Sequence, residues 1–187
     1  MRMIAAIAKK RGLFIISDET YRDILFKGKP STILSMSDIR SRSIVIDSAS
    51  KRFSLPGARI GCLISYNGDV MSAVLRFCMA RLSAGTLEQH ALIPLLKKPN
   101  VYMKKITAEY KRRHSAVIKE LRKIKGVVVK PASGAFYLTV KLPVENSDDF
   151  TAFMLKDFNY RGKTVAVSPM TGFYSTKGMG KDAVRLA

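Results

Sequence analysis

Lys51 stands where a protein can hold a reactive amine next to a ligand. It follows Ile44-Val45-Ile46-Asp47-Ser48, with Ala49 and Ser50 between, and this short, mostly apolar run is typical of a strand covered on both faces. A lysine held at such a strand-to-loop transition can act as a nucleophile towards a carbonyl group. Most other lysines of the chain are surface charges, so the position of Lys51, and not its residue type, supports this interpretation.

Asp18 and Tyr21 follow a second apolar run, Leu13-Phe14-Ile15-Ile16. Asp18 would then lie at the carboxyl end of a buried strand, where open α/β sheets bind their ligands. Two alternatives stay open at this point: an aspartate that caps the next turn, and a half-buried core tyrosine. Both residues are candidates for ligand binding.

The elements that position these residues indicate an α/β fold, because apolar runs of strand length alternate with amphipathic segments. After a helix end at Met1-Arg11, strands are predicted over 13–16, 43–47, 59–65, 127–130, 134–141, 164–168 and 183–187, and helices over 69–81, 86–96, 101–125 and 148–158. The first strands are expected to form a mostly parallel sheet. A break at Pro94–Asn100 predicts two domains, residues 1–98 and 99–187.

Charge is the unusual feature of the composition. The 187 residues contain 33 Lys and Arg against 14 Asp and Glu, a net charge of +19, which by itself indicates a polyanion as partner. The cations between Lys97 and Lys130 point in most directions around a helix, and no aromatic ladder accompanies them. The sequence therefore does not favour nucleic-acid binding. It predicts no membrane span, no metal site and, with two cysteines, a reduced cytoplasmic setting.

Several short elements, in this order and spacing, resemble the fold-type I class I and II aminotransferases, which depend on pyridoxal 5'-phosphate (PLP). The resemblance covers essentially the whole chain, and its second set of motifs is similar to the aspartate aminotransferase branch. The elements are Ser17-Asp18-Glu19-Thr20-Tyr21, Ser48-Ala49-Ser50-Lys51, Pro56-Gly57-Ala58-Arg59-Ile60-Gly61 and Val184-Arg185-Leu186-Ala187, with Gly134-Ala135-Phe136-Tyr137 and Gly172-Phe173-Tyr174-Ser175-Thr176 as the second set.

The resemblance implies a role for each candidate cofactor residue. Lys51 would bond to the cofactor aldehyde and later move a proton at the substrate's α-carbon. Asp18 would pair with the pyridine nitrogen, and Tyr21 would hydrogen-bond the phenolic oxygen. Ser48 and Arg59 match the phosphate contacts, for which a hydroxyl and a guanidinium fork are suited. Arg52, beside Lys51, is expected to be an ordinary solvated cation.

The resemblance also implies two substrate-binding residues. Arg185 matches the arginine that grips the substrate α-carboxylate in a planar, two-bond contact. Arg81 is a candidate second carboxylate anchor, in a region that the partner of the family's homodimer approaches. His90 and His114 are expected to serve packing or solubility.

The fold expected from this resemblance is an aspartate aminotransferase-like α/β fold with part of the large PLP-binding domain and most of the small C-terminal domain. Both ends look cut, so the chain is expected to be truncated at its N-terminus and C-terminus and to be inactive in isolation. The implied reaction moves an amino group between an amino acid, aspartate or another dicarboxylic one, and a 2-oxo acid. The alternatives are a PLP-dependent lyase or decarboxylase of the same fold, and a non-catalytic basic remnant that binds polyanions.

Overall fold

The computed structural model describes residues 1–187, which form two compact units, Met1–Thr107 and Ala108–Ala187. Each unit combines helices with its own sheet, which confirms the predicted α/β class. The division falls within a helix that spans Pro99–Leu121. The division of the chain into a large-domain part, residues 1–98, and a small domain, residues 99–187, stays a prediction.

The first unit is built from four complete helices and three strands, and it contains the start of a fifth helix. The helices are α1 (Arg2–Lys10), α2 (Ala49–Arg52), α3 (Gly68–Arg81), α4 (Thr86–Lys97) and α5 (Pro99–Leu121), and the strands are β1 (Ile15–Asp18), β2 (Ser43–Ser48) and β3 (Gly61–Ser65). Helix α3 begins at an asparagine cap, because the Asn67 side chain accepts a hydrogen bond from the Val70 backbone. Except for the short helix α2, which was not predicted, these bounds lie within a few residues of the predicted elements.

The three strands form one sheet in the order β1-β2-β3. Strands β1 and β2 run parallel, as expected, but β3 runs antiparallel to β2, so the expected mostly parallel arrangement does not extend to β3. The chain turns back at the end of β2, where the Ala49 N–H donates to the Ile60 carbonyl at 3.1 Å. Residues 49–60 thus return the chain to the same end of the sheet, without the crossover that a parallel neighbour requires.

One face of this sheet carries the core of the first unit. Val45 is fully buried there and packs with a cluster that also contains Ala5, Ala8, Ile33 and Ile39. The two alanines let α1 approach the sheet closely. On β1, in contrast, the Ile16 side chain is 71% exposed, so within this unit the strand is covered on one face and not on both.

The second unit has an antiparallel sheet. Its strands are β4 (Val128–Val129), β5 (Leu138–Lys141), β6 (Ser168–Pro169) and β7 (Ala183–Leu186), in the order β4-β5-β7-β6, and helix α6 spans Ser147–Lys156. Val140 and Val184 are buried at the centre of its core, together with Leu138 and Ile118 of α5.

The strand predicted over 164–168 is wrong for most of its length, because β6 begins only at Ser168. The preceding residues form a tight turn instead, in which Tyr160 and Lys163 exchange backbone hydrogen bonds. The Thr164 hydroxyl then donates to the Met154 carbonyl at the end of α6. Alternating apolar residues in this stretch therefore do not pair with the sheet.

His114 of α5 has a structural hydrogen bond in the second unit. Its Nε2 atom accepts the backbone N–H of Ala132 at 3.0 Å, and burial lowers the pKa of the imidazole below its ordinary value. This agrees with the packing role expected for it. Across the described chain, no helix combines the length and the apolar character needed to cross a membrane.

Candidate functional site

Most of the predicted cofactor residues lie at one end of the first unit's sheet. Strands β1 and β2 are parallel and end there at Asp18 and Ser48, and β3 begins there at Gly61, which pairs with Ser48. Asp18 pairs with Ile46, two residues before Ser48. Because side chains alternate along a strand, Asp18, Ile46 and Ser48 belong to the same face of the sheet.

Asp18 and Tyr21 lie where the chain leaves β1. The Asp18 side chain is exposed, and its Oδ1 atom accepts the backbone N–H of Thr20 at 3.1 Å and the Thr20 hydroxyl at 2.5 Å. Asp18 therefore caps the turn after β1 with one of its two carboxylate oxygens. This is the capping role that the sequence left open as an alternative to ligand binding. Tyr21 is half-buried in the same turn.

Ser48 and Lys51 are held by the short helix α2. Ser48 caps this helix, since its Oγ atom accepts the Ser50 N–H at 3.1 Å. The same oxygen lies 2.9 Å from the Ser50 hydroxyl and 3.2 Å from the Ile60 carbonyl. Lys51 follows within the helix and is half-buried. The cap thus fixes the turn that carries both residues.

Arg59 occupies a constrained backbone position immediately before β3. Its φ of 53° lies in the left-handed region, which is uncommon for residues other than glycine. One guanidinium nitrogen, Nη1, donates to the Pro56 carbonyl at 3.0 Å, and the residue is otherwise exposed. Two residues on, a Cβ at Gly61 would lie 3.0 Å from the Asp47 carbonyl, so a side chain there would press on the end of β2.

An open cleft of about 760 Å³ brings three of the candidates together. Ser48 and Arg59 line it together with Ser50, which lies between them in sequence, and with Arg81 at the end of α3. Apolar side chains such as Leu63 complete the wall. Asp18, Tyr21 and Lys51 lie outside this lining.

Arg185, on β7 of the second unit, has different surroundings. Its guanidinium carbon lies 4.6 Å from the centre of the Tyr137 ring and 4.8 Å from the centre of the Phe173 ring. Contacts of this length with an aromatic face are favourable for a cation. The Nε atom is buried and has no hydrogen-bond partner in the structure. A buried, unpaired donor on an arginine is costly unless an acceptor joins it.

A cluster of charged side chains on the first unit was missed from the sequence. We call it the ion cluster; its members are Glu19, Arg22, Asp23, Asp47 and Arg52. The expectation for Arg52 was wrong, because its side chain is only 17% exposed and bridges two carboxylates. Asp47, inside an otherwise apolar run, was the available signal, since a buried carboxylate requires cations or donors around it.

Three contacts within the ion cluster, at 2.6 to 2.9 Å, have the length of charge-assisted hydrogen bonds, and the contacts of Arg22 with Asp47 and Asp23 are longer, at 3.3 and 3.6 Å. Arg52 donates through Nη2 to Asp47 Oδ2 at 2.6 Å and lies 2.7 Å, through Nε, from Asp23 Oδ2. Arg22 donates through Nη1 to Glu19 Oε2 at 2.9 Å and through Nη2 to Asp47 Oδ2 at 3.3 Å.

Burial and charge act in opposite directions on Arg22. Burial lowers the pKa of Arg22. The hydrogen bond to Glu19 and the charges of Asp23, Asp47 and Glu19 together raise that pKa by more than burial lowers it, so it lies above its ordinary value. Arg22 is thus held in its charged form.

The neighbouring Cys62 thiol has a raised pKa, first because it is partly buried and then because Asp47 is close.

The family model and two curated proteins that match this chain are all aminotransferases by description. The family model described as "Aminotransferase class I and II" matches residues 1–186. The chain is 33% identical over 173 residues to an aspartate aminotransferase of Thermotoga maritima, covering 91% of this chain and 42% of that protein. It is 29% identical to a (5-formylfuran-3-yl)methyl phosphate transaminase of Methanocaldococcus jannaschii, covering 93% and 45%.

Solved structures agree. The crystal structure of the Thermotoga maritima aspartate aminotransferase matches with a TM-score of 0.81 at 30% identity, covering 98% of this chain and 45% of that one. An aromatic aminotransferase from Pyrococcus horikoshii matches with a TM-score of 0.84 at 26% identity, covering 100% and 48%. The fold is therefore that of the aspartate aminotransferase-like PLP-dependent transferases, and the chain spans about half the length of the relatives it matches.

Proposed function

The chain belongs to the class I and II aminotransferase family, and from that premise we propose that the protein transfers an amino group between an amino acid and a 2-oxo acid. Enzymes of this family use PLP as cofactor. The observation that supports the proposal most is the shared sheet end, where β1 finishes at Asp18 and β2 passes through Ser48 into the helix of Lys51.

The donor set at this sheet end fits the cofactor. A hydroxyl, Ser48, and a guanidinium, Arg59, line one cleft and suit a phosphate dianion. The Lys51 amine suits an aldehyde, the second carboxylate oxygen of Asp18 suits a protonated ring nitrogen, and the Tyr21 hydroxyl suits a phenolic oxygen. When bound, the cofactor supplies a ring that accepts electron density from the substrate's α-carbon.

The residues of this chain would divide the remaining work. Lys51 would hold the cofactor through its amine and then carry the proton to and from the substrate's α-carbon. Asp18 would keep a proton on the ring nitrogen by its negative charge. Ser48 and Arg59 would fix the phosphate and so the position of the ring above the sheet end.

We propose that Arg185 binds the α-carboxylate of the substrate. The guanidinium carbon lies 4.6 Å and 4.8 Å from the centres of the Tyr137 and Phe173 rings, which supply no carboxylate to neutralise its charge, and the unpartnered Nε supports an anion as the acceptor. Arg81, on the cleft with Arg59, is the proposed anchor for a second carboxylate. That anchor is the reason to propose aspartate or another dicarboxylic acid as amino donor.

The proposal includes a homodimer in the cytoplasm. Large apolar side chains on α3, among them Phe77 and Met79, are 76% and 74% exposed, and exposed apolar surface of this kind supports association with a further protein surface. The proposed location rests on the two cysteines, which are too few and too separated for a disulfide framework.

The test is an assay of amino transfer with the protein expressed from its complete reading frame. Aspartate with 2-oxoglutarate should yield oxaloacetate and glutamate, and omission of the 2-oxo acid should stop turnover after one amino group per site. Continued release of product without an acceptor would instead indicate a lyase or decarboxylase. A protein that shows no visible absorption with PLP but binds polyanions would replace the enzyme proposal by the basic-remnant alternative.

A further inference from the structure

The ion cluster and the candidate cofactor residues alternate along two segments of the chain. On the first segment Asp18 precedes Glu19, and Tyr21 precedes Arg22. On the second, Ser48 follows Asp47, and Lys51 precedes Arg52. Each of these four candidate residues is thus a direct neighbour of a member of the ion cluster.

The bonds of the ion cluster run between these two segments. Arg22 of the first segment reaches Asp47 of the second at 3.3 Å, and Arg52 of the second reaches Asp23 of the first at 2.7 Å. Each segment is also tied internally, by Arg22 to Glu19 and by Arg52 to Asp47. Arg22 also lies 3.6 Å from Asp23, so Arg22, Asp47, Arg52 and Asp23 form a closed loop of ionic contacts.

Further hydrogen bonds tie two carboxylates of the ion cluster, those of Asp47 and Glu19, to neighbouring parts of the first unit. Asp47 Oδ1 accepts the Ser48 N–H at 2.7 Å, which fixes the residue that caps α2. Glu19 Oε1 accepts the Ile33 N–H at 2.9 Å and the Thr32 hydroxyl at 2.9 Å. The side chains of Glu19 and Asp47 are only 6% and 7% exposed, so these bonds are shielded from water.

We propose that the ion cluster is a positioning device that sets the distance and orientation of Lys51 relative to Asp18 and Tyr21. This inference rests on the proposed function, because it gives those three residues a common ligand. Arg52 is its central positioning residue. Its fork joins one carboxylate of each segment, and its own backbone continues directly from Lys51.

A buried ion cluster is a poor device for stability alone. Removing charges from water is unfavourable for each ion, and well-packed apolar residues of similar volume often stabilise a fold as well or better. What directional charge-assisted bonds supply, and apolar contacts do not, is a defined geometry. Residues that must hold one ring at one angle need that geometry.

The experiment compares three proteins with the wild type, all from the complete reading frame and loaded with PLP. Arg52→Met removes the fork and keeps much of the apolar stem. Arg52→Lys keeps the charge, but a single ammonium does not reproduce the fork that spans two carboxylates. Arg112→Met is the matched control, because Arg112 pairs with Glu109 on the exposed surface of α5, with 70% of its side chain exposed.

Four quantities are measured: kcat, KM for the amino acid, the pH midpoint of the cofactor's visible absorption band, and the melting temperature. A displacement of about 1 Å costs about a hundredfold in rate, so Arg52→Met should lower kcat by about that factor. The pH midpoint should move by about half a unit or more, because it reports the surroundings of the lysine. KM should stay within about twofold.

The conservative variant separates positioning from folding. Arg52→Lys should recover about tenfold of the lost kcat and part of the pH shift, since one of the two contacts survives. Arg112→Met should match the wild type in all four quantities. If Arg52→Met or Arg52→Lys lowers only the melting temperature and leaves kcat and the pH midpoint unchanged, the cluster is structural and the inference is overturned.

Asp23→Asn decides the question if Arg52→Met does not fold. It preserves shape and removes the charge that Arg52 reaches across the segments, so it should shift kcat and the pH midpoint in the same direction. No change in either quantity overturns the inference. Failure of the proposed function looks different: the wild type itself would show no visible band and no amino transfer.

Discussion

Arg52 and Arg185 are both partly buried arginines, one in each unit, but their guanidinium groups have opposite surroundings. Arg52 lies between the carboxylates of Asp47 and Asp23, at 2.6 and 2.7 Å. The guanidinium carbon of Arg185 lies 4.6 Å from the centre of the Tyr137 ring and 4.8 Å from that of the Phe173 ring, and its Nε has no hydrogen-bond partner.

The difference separates two uses of the same side chain. An arginine whose donors are taken by carboxylates holds protein segments together, because its charge is already neutralised. An arginine beside aromatic rings keeps its charge available for a ligand, because the rings attract the cation without carrying an opposite charge that neutralises it. We therefore propose a positioning role for Arg52 and substrate binding for Arg185.

Replacing Arg185 should have the largest effect on substrate use. Arg185→Met should lower kcat/KM for the amino acid by roughly thirtyfold or more, because losing a buried charged hydrogen-bond partner costs about 2–5 kcal/mol. The melting temperature should fall less than in Arg52→Met, since no buried carboxylate is left unpaired. Steady-state kinetics and thermal unfolding of both variants check this contrast.

Arg161→Met is the control for Arg185. Arg161 also lies over an aromatic ring, that of Tyr160 at 5.3 Å, but both residues are exposed. Its replacement should leave kcat/KM unchanged. An equal loss of kcat/KM in the two variants would show that general positive charge on this unit, and not the held guanidinium, drives substrate binding.

The sequence predicted the strand ends of the first unit better than the contacts around them. Short apolar runs closed by Asp18 and Ser48 locate β1 and β2 because local composition determines where a strand stops. The role of Arg52 could not be predicted in this way, since Asp23 lies far from it along the chain and meets it only after the two segments fold together.

The same limit applies to β3 and to the second unit. Strand β3 runs antiparallel to β2 because residues 49–60 bring the chain back to the same end of the sheet. The apolar run of β3 indicates a strand but not its direction. The rings around Arg185 come from Tyr137, beside β5, and from Phe173, after β6. Family resemblance indicated Arg185 itself, but the pairing of these rings required the register of the sheet.

The smallest expected effect concerns His114, an uncharged titratable group that contrasts with the ion cluster of the first unit. Its pKa in the folded chain lies below the ordinary 6.5, so the unfolded chain takes up the proton first as the pH falls. The stability gained from the neutral imidazole is therefore complete above about pH 6.5 and decreases below it. A protonated ring also no longer accepts the Ala132 N–H.

Thermal unfolding between about pH 5 and pH 8 measures this effect. The wild type should lose stability on acidification, and His114→Gln should lose less, because glutamine does not titrate. His90→Gln is the control, since His90 is exposed on α4, and it should follow the wild type. A His114→Gln profile with the full wild-type acid slope would contradict the assigned role.

The central claim is that Lys51 is the lysine to which the cofactor is bonded. The direct measurement is borohydride reduction of the PLP-loaded protein from its complete reading frame, followed by tryptic digestion and mass spectrometry. Trypsin does not cleave after a modified lysine. If Lys51 carries the cofactor, we therefore expect a labelled peptide that spans residues 43–52, from the cleavage after Arg42 to the cleavage after Arg52. Lys51→Arg should remove that label. Stoichiometric label on a different lysine, or no label in a protein that binds PLP, would contradict the account.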